Sequence, residues 1–324
     1  MSGRHRPPNV VALGGGHGLA AALRALRHVT PHLTAVVTVA DSGGSSGRLR
    51  EEFGCLPPGD LRMALAALSG HDEWGVTWRE VLQHRLGGEG ELAGHALGNL
   101  LIVGLWEMWA GDPAAGLDFV GKLVGAQGRV LPMSTAPLDV EADITRQVDG
   151  APWHTSIRGQ AKVATALGQV DAVRLTPAHA PACPEAVAAI LDADWVNLGP
   201  GSWYTSVIPH LLIPELAEAI FAPEVRRCVT LNLENQAGET SGYSAADHLR
   251  ALAEYAPGAT FDAVVADASA LGERVELEDA VASLGGKLVV RPVRKDSVPG
   301  EHDSLRLAAV YREVFSGEDL NEWR

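Results

Sequence analysis

Cysteine, lysine and aromatic residues are all scarce in this chain. Its three cysteines, Cys55, Cys183 and Cys228, are far apart with no C-x-x-C pair, which excludes a disulfide framework and a cysteine-built zinc site. The twelve histidines are scattered, and neither H-E-x-x-H, G-x-S-x-G nor an EF-hand pattern occurs. Only four lysines are present, Lys122, Lys162, Lys287 and Lys295. None lies near the glycine-rich turns of the first sixty residues, so there is no Walker A loop. Arginine carries nearly all the positive charge, and a phosphate clamp here has to be built from guanidinium forks. Positive charge is also in deficit: 26 basic against 40 acidic residues give a formal net charge of −14. Duplex nucleic acid needs a basic footprint and is not an expected partner. No apolar run reaches the length of a membrane span. The N-terminal MSGRHRPP is polar and lacks the apolar stretch of a signal peptide. The expected location is the cytoplasm, with no membrane partner.

Three glycine-rich turns stand out against these absences: GGGHG (Gly14 to Gly18), ADSGGSSGR (Ala40 to Arg48) and PPGD (Pro57 to Asp60). The first two follow β-branched stretches, residues 10–13 and 34–39, which read as buried strands of a parallel sheet. Loops at the carboxyl ends of such strands bind nucleotides in α/β proteins. Glycine admits an anion close to backbone N–H groups, and a helix N-terminus behind the loop adds a favourable dipole. The start of the chain therefore reads as a site for a phosphorylated ligand.

Residues 1–8 read as a disordered tail, and 317–324 as a second tail. Helices are expected at 19–28, 60–71, 74–86, 95–109 and 114–126, and strands at 10–13 and 34–40. Between 128 and 178 the pattern shifts to short alternating stretches (RVLPMS, LDVEADI, WHTSIRG, AVRLTP), expected to form an antiparallel insert. Beyond it come helix 184–192, strands 194–198 and 228–233, helix 244–255, strands 262–266 and 287–292, and helix 303–315. The expected fold is a single α/β domain over 9–316. It is a Rossmann-like, doubly wound, mainly parallel sheet with a small antiparallel insert.

Each motif has an ordinary reading beside the functional one. GGGHG departs from G-x-G-x-x-G and can be a plain strand-to-helix turn. DSGGSSGRLR offers backbone donors, the hydroxyls of Ser42, Ser45 and Ser46, and Arg48 and Arg50, an inventory that fits an anionic oxygen cluster; otherwise it is a flexible serine loop. Asp41 can bind Mg²⁺, orient a hydroxyl or cap the following helix. Asp60 reads as a helix N-cap, with Arg62 exposed beyond it. GHALGN puts His95 and Asn99 one helical turn apart, a costly polar pair in an apolar helix unless satisfied or used. In GPGSWYTS (Gly199 to Ser206), Trp203 and Tyr204 can stack on a base or belong to the core. Asn232, Asn235 and Glu239 follow another strand and suit hydrogen bonds to a base or sugar, or simply solvate a loop.

In series, the glycine loop, VTVADSGGSSGRLR, LPPGDLR, QHR (Gln83 to Arg85), GHALGNLL, RVLP and NLGPGSWYTSVIP resemble one family over roughly residues 9–315. It is the gluconeogenesis-factor (YvcK-type) branch of the CofD-like proteins, whose namesake is a 2-phospho-L-lactate transferase. The resemblance implies a cytoplasmic regulator that binds a UDP-sugar such as UDP-N-acetylglucosamine. Such a regulator supports cell shape and wall synthesis during growth on gluconeogenic carbon, with a cell-wall or regulatory protein as its partner. The transferase branch implies instead a phospho-group transfer from a nucleoside diphosphate carrier, with Mg²⁺ and with Asp41, Asp60 and His95 as candidate catalytic residues. Carried over, the diphosphate site comprises Gly15, Gly16, His17, Gly18, Asp41, Ser42, Gly43, Gly44, Ser45, Ser46 and Arg48. Gly59, Asp60, His95, Asn99, Gly199, Gly201, Ser202, Tyr204 and Asn232 complete its lining. Two departures weaken the match. Ser42 stands where the family has a second aspartate, which makes Mg²⁺ binding less favourable. Glu301 stands where an arginine usually precedes a His-Asp pair, with Arg294 or Arg306 as substitutes. The apolar helices also leave homodimerisation open.

Overall fold

The computed structural model describes residues 6–109, 112–148, 151–234, 240 and 242–316. Residues 1–5 of the first expected tail, the tail 317–324, Asn235 and Glu239 lie outside them. The chain opens with β1 (Val10–Gly14), α1 (Gly16–Leu26), β2 (Leu33–Val37), α2 (Gly44–Phe53) and α3 (Gly59–Leu68). Next come α4 (Glu73–Gln83), α5 (Leu97–Met108), α6 (Pro113–Leu123) and β3 (Arg129–Pro132). An excursion follows through β4 (Asp139–Val148), β5 (Ala151–Arg158), α7 (Gln160–Ala164) and β6 (Gln169–Thr176). The α/β pattern resumes with α8 (Pro184–Leu191), β7 (Trp195–Leu198), α9 (Pro214–Ile220), β8 (Arg226–Thr230) and α10 (Ala245–Tyr255). It ends with β9 (Ala263–Ala266), α11 (Arg274–Ser283), β10 (Lys287–Val290) and α12 (Ser304–Ser316).

Seven strands form one parallel sheet in the order β10-β9-β8-β7-β1-β2-β3. β1 is buried along its whole length, as expected of a central strand covered on both faces. On one side α1 packs between α3 and α12, driven by a continuous apolar face that includes Leu19, Leu23 and Leu26. No helix among the described residues is long and apolar enough to cross a membrane.

The second sheet is antiparallel, in the order β5-β4-β6. β4 sets its register by alternation: Val140, Ala142 and Ile144 are buried while their neighbours are not, so a slip of one residue would expose all three. RVLP was expected in this insert but forms β3, the edge of the main sheet, where Thr34 to Val37 pair with Arg129 to Pro132. A four-residue strand carries no signature of its partner, and α6 returns the chain alongside β2. The antiparallel strands therefore begin at Asp139 rather than near 128. GSSGRLREEF, expected as a loop, is α2, closed by Gly54 in the left-handed conformation (φ 62°), the usual helix stop.

Candidate functional site

The strand order reverses between β1, which continues to β2, and its other neighbour β7. The crevice at this switch point is where open α/β sheets bind ligands. Here the loops after β1, β2, β7 and β8 meet. Gly18 lies in the first turn of α1, and a Cβ placed there would fall 2.2 Å from the Pro200 carbonyl oxygen. Only glycine lets the helix rest on the Gly199–Gly201 turn. Side chains lock that turn in place. Asn197 donates to the Gly199 carbonyl at 2.6 Å, while Asn232 accepts from the Gly201 amide at 2.8 Å and donates to the Gly201 carbonyl at 2.9 Å. Thr230 holds Asn197 from behind at 2.9 Å. Asn232, which the sequence suits to a base or sugar or to loop solvation, is instead spent on the loop backbone.

Three helix N-termini converge beside this crevice. A Cβ at Gly15, which precedes α1, would sit 2.5 Å from Oδ2 of Asp60 in the first turn of α3. A Cβ at Gly59, the first residue of α3, would sit 2.3 Å from Oγ of Ser46 in α2 and 3.1 Å from Oδ2 of Asp41. None of the three helices carries a side-chain cap, so their positive ends face a shared space suited to anions. The two carboxylates already occupy it. Asp41 is not the cap of α2; its Oδ1 accepts from the Gly43 amide at 2.8 Å, and Gly43 is the cap position. Nor does Asp60 cap α3, since that position is Pro58. Asp60 keeps some exposed surface, but its Oδ2 is enclosed and has no partner among the described residues. Burial and then the neighbouring Asp41 push its carboxyl up to about 7, partly offset by the Gly16 amide. Near neutrality Asp60 is thus poised between acid and carboxylate, a common property of functional groups.

A buried polar chain runs away from this centre. Arg62 donates from Nε to Asn99 Oδ1 at 2.9 Å, and Asn99 donates from Nδ2 to Ser45 Oγ at 3.0 Å. Ser45 then lies 2.9 Å from His95 Nδ1. Because Ser45 accepts from Asn99, its own proton is available to His95 Nδ1. Burial, and then Arg48, lowers the His95 pKa and favours this neutral acceptor form. His95 and Asn99 do converge, but not as one face of a helix: α5 starts at Leu97, and His95 lies before its cap Ala96. Arg62, expected to be exposed, is 4% exposed. Sequence reading missed it because an arginine just inside a helix start resembles a surface residue.

Other expected site residues lie elsewhere. Arg48 is exposed and donates to the carbonyls of Glu91 at 2.9 Å and Ala93 at 2.7 Å. Ser42 faces the antiparallel sheet: a Cβ at Gly159 would fall 2.9 Å from its Oγ. Arg50 and Arg158 both pair with Asp139, tying that sheet to α2, and Gly43 lies against Ala161 of α7. Gly44 starts α2 with φ 49° and an open Cβ direction. Tyr204 is buried; its hydroxyl lies 2.8 Å from that of Tyr243, and its ring packs edge-on against Tyr243 and Tyr255. It belongs to the core of that region, not to a stacking platform at the crevice. Ser202 precedes the wide helical turn Trp203–Val207.

The crevice itself encloses about 330 Å³, with His17, Gly18, Gly201 and Asn232 on one side and Gly300, Glu301 and His302 on the other. Arg24 also lines it, whereas Arg294 and Arg306 do not. Arg294 bonds Glu234 and the Leu233 carbonyl, and Arg306 bonds Asp296 and the Arg294 carbonyl. The guanidinium that can serve in place of one at position 301 is therefore Arg24. His302 was not among the expected contacts. Burial pushes it down to about 4, and its Nε2 has no partner among the described residues.

Residues 10–309 match the family model described as 2-phospho-L-lactate transferase CofD. The chain belongs to the CofD family. A Mycobacterium tuberculosis relative named "Putative gluconeogenesis factor" is 50% identical, covering 93% of this chain and 88% of its own length. A Bacillus subtilis protein named "Gluconeogenesis factor" is 34% identical over 83% of this chain and 81% of its own. The crystal structure of a Bacillus halodurans protein superposes with a TM-score of 0.82 at 34% identity, covering 96% of this chain and all of that one. The CofD family thus accounts for the parallel sheet and the small antiparallel sheet together.

Proposed function

We propose that this CofD-family chain is a gluconeogenesis factor that acts as a sensor of a UDP-sugar such as UDP-N-acetylglucosamine. It would bind the sugar nucleotide at the strand-end crevice and signal to the machinery of wall synthesis and cell shape. The observation that carries the reading is the locked Gly199–Gly201 turn pressed against the first turn of α1. The turn's own amides are already used, Gly199 on Leu13 and Gly201 on Asn232. What it supplies is a seat for the N-terminus of α1, whose first-turn amides are the donors for a diphosphate at the switch point, where such ligands bind. Arg24 supplies a cation and Asn232 fixes the turn. Asp60 matters here through its charge. In its neutral form it admits an anion to the helix ends, and in its ionised form it competes with one.

A second reading is transfer of a phospho-group with Mg²⁺, and one observation favours it. The second carboxylate missing beside Asp41 is supplied by Asp60 from the first turn of α3. Mg²⁺ in phosphate sites takes one or two carboxylates with water and phosphate oxygens, so Asp41 and Asp60 fit such an ion. No group of three or more metal-ligating side chains occurs among the described residues. When bound, the ion would neutralise phosphate charge, while the Ser45–His95 pair stands ready to accept a proton from an incoming hydroxyl.

Calorimetric titration with UDP-N-acetylglucosamine and with GDP, each with and without Mg²⁺, separates the two readings. Uridine-selective binding that needs no metal, weakened about tenfold by Asn232→Ala, supports the sensor. Binding that requires Mg²⁺ and prefers guanosine overturns it in favour of transfer. Arg48→Ala gives a further check: unchanged affinity removes Arg48 from the diphosphate site.

A further inference from the structure

A second cavity of about 600 Å³ lies between α1, α3 and α4, and its lining is strongly basic in an acidic protein. Its lining includes Arg24, Arg27, Arg62, Arg79 and Arg85, with Glu80 as the one carboxylate. Five guanidinium groups against one carboxylate leave four net positive charges in a chain whose total is −14. The small side chains Ala66 and Ala67 also line it.

Three of the five arginines, Arg24, Arg62 and Arg79, keep donors with no partner among the described residues. Arg62 is 4% exposed, lines this groove, and its Nη1 is buried with no hydrogen-bond partner among the described residues. An enclosed, unpaired donor of this kind is costly unless something accepts from it. Arg24 and Arg79 have no hydrogen bond or ion pair within the chain among the described residues. Burial and then like charge act against these groups. Burial and Arg79 disfavour the charge on Arg27, and burial and Arg85 that on Arg62 against the pull of Asp60 and Asp41. Arg27 disfavours a charge on His71, and for Arg24 burial dominates, with Glu301 opposing it and Arg79 adding to it. Arg27 is held by Gln127 and the Ala67 carbonyl, Arg85 donates to the Gly94 carbonyl at 2.8 Å, and Arg62 is held through its Nε alone, by Asn99. Like charges gathered this way around an enclosed donor are stabilised by a bound anion, and guanidinium forks match phosphate oxygens.

We propose that this groove is a second ligand site that takes a small molecule bearing at least two phosphate groups. One phosphate monoester brings about two negative charges at neutral pH, which leaves half of the groove's charge unmatched; a diphosphate comes close to neutralising it. This site goes beyond the sugar-nucleotide crevice. The two adjoin at His17 and Arg24, which line both, so the test uses residues that line only one.

The probe is inorganic pyrophosphate, titrated by calorimetry into the full chain and into Arg79→Gln, Arg79→Glu and Asn232→Ala. Arg79 is only partly exposed but holds no partner, so either replacement leaves the internal bonding intact. The expected result is binding that Arg79→Gln weakens about tenfold and Arg79→Glu more, with Asn232→Ala without effect. UDP-N-acetylglucosamine binding by the Arg79 variants should stay unchanged, so that this site and the crevice fail or stand separately. The proposal is overturned if pyrophosphate does not bind. Equal affinity in wild type and both Arg79 variants overturns it as well, and so does weakening by Asn232→Ala alone, which would put the probe in the crevice.

Discussion

Replacing Asp60 by asparagine tests the electrostatics of the crevice with little change in shape. The folded protein holds this carboxyl at about 7 against an ordinary value of 3.8, because burial and Asp41 both disfavour its charge. The shift is worth up to about 4 kcal/mol at 1.36 kcal/mol per unit. Its sign follows from proton counting. Between pH 4 and 7 the folded state keeps a proton that the unfolded state has lost, so this group's contribution to stability falls as pH rises and is lost above 7. Asparagine does not titrate and escapes that penalty, but it places an amide NH₂ where Oδ2 now has no partner, at a cost of about 1–3 kcal/mol. The difference between variant and wild type should move in favour of the variant by up to about 1.4 kcal/mol per pH unit across this window. Above pH 7.5 the variant should be the more stable protein by about 1–3 kcal/mol. Urea unfolding followed by tryptophan fluorescence at pH 4.5, 6 and 8 measures it. A variant-minus-wild-type difference that stays flat with pH would refute the raised carboxyl and the crowding of charge behind it. A stabilised variant that binds ligand poorly would fit a site kept at a cost to stability.

Two further substitutions probe the walls of the site. Gly18→Ala drives a methyl group into the Pro200 carbonyl and should cost about 3 kcal/mol, together with sugar-nucleotide affinity; a thermal midpoint and affinity equal to wild type would show that α1 does not rest on that turn. Ser45→Ala leaves Asn99 Nδ2 and His95 Nδ1 without their shared partner and should cost about 1–3 kcal/mol. A neutral effect in thermal denaturation would mean the polar chain from Arg62 to His95 is not formed.

Much of this protein is legible in its sequence. Residues 10–13 and 34–39 read as strands because β-branched runs buried on both faces have few other uses, and the glycine turns after them mark where a sheet ends and an anion approaches. Boundaries failed where local signals conflicted. GSSGRLREEF looks like a loop because glycine and serine disfavour helix interiors, yet α2 forms there since Leu49 is buried in the core and Gly54 ends it. RVLP looks the same at the edge of either sheet. Tyr204 could not be told from a stacking platform until its hydroxyl was found on Tyr243.

The sequence by itself determined the α/β class, the run of strand-end loops and the family to which they belong, because these rest on local pattern and on motifs in series. Only the tertiary structure decided that Asp60 comes from α3 to stand beside Asp41, that Arg24 rather than Arg294 or Arg306 lines the crevice, and that the arginines of α1, α3 and α4 and the turn after α4 share one groove. Each of these joins residues that are distant along the chain. The consequences, a raised carboxyl and an unpaired buried guanidinium, arise from the burial and mutual repulsion of charges, which exist only once the helices have packed.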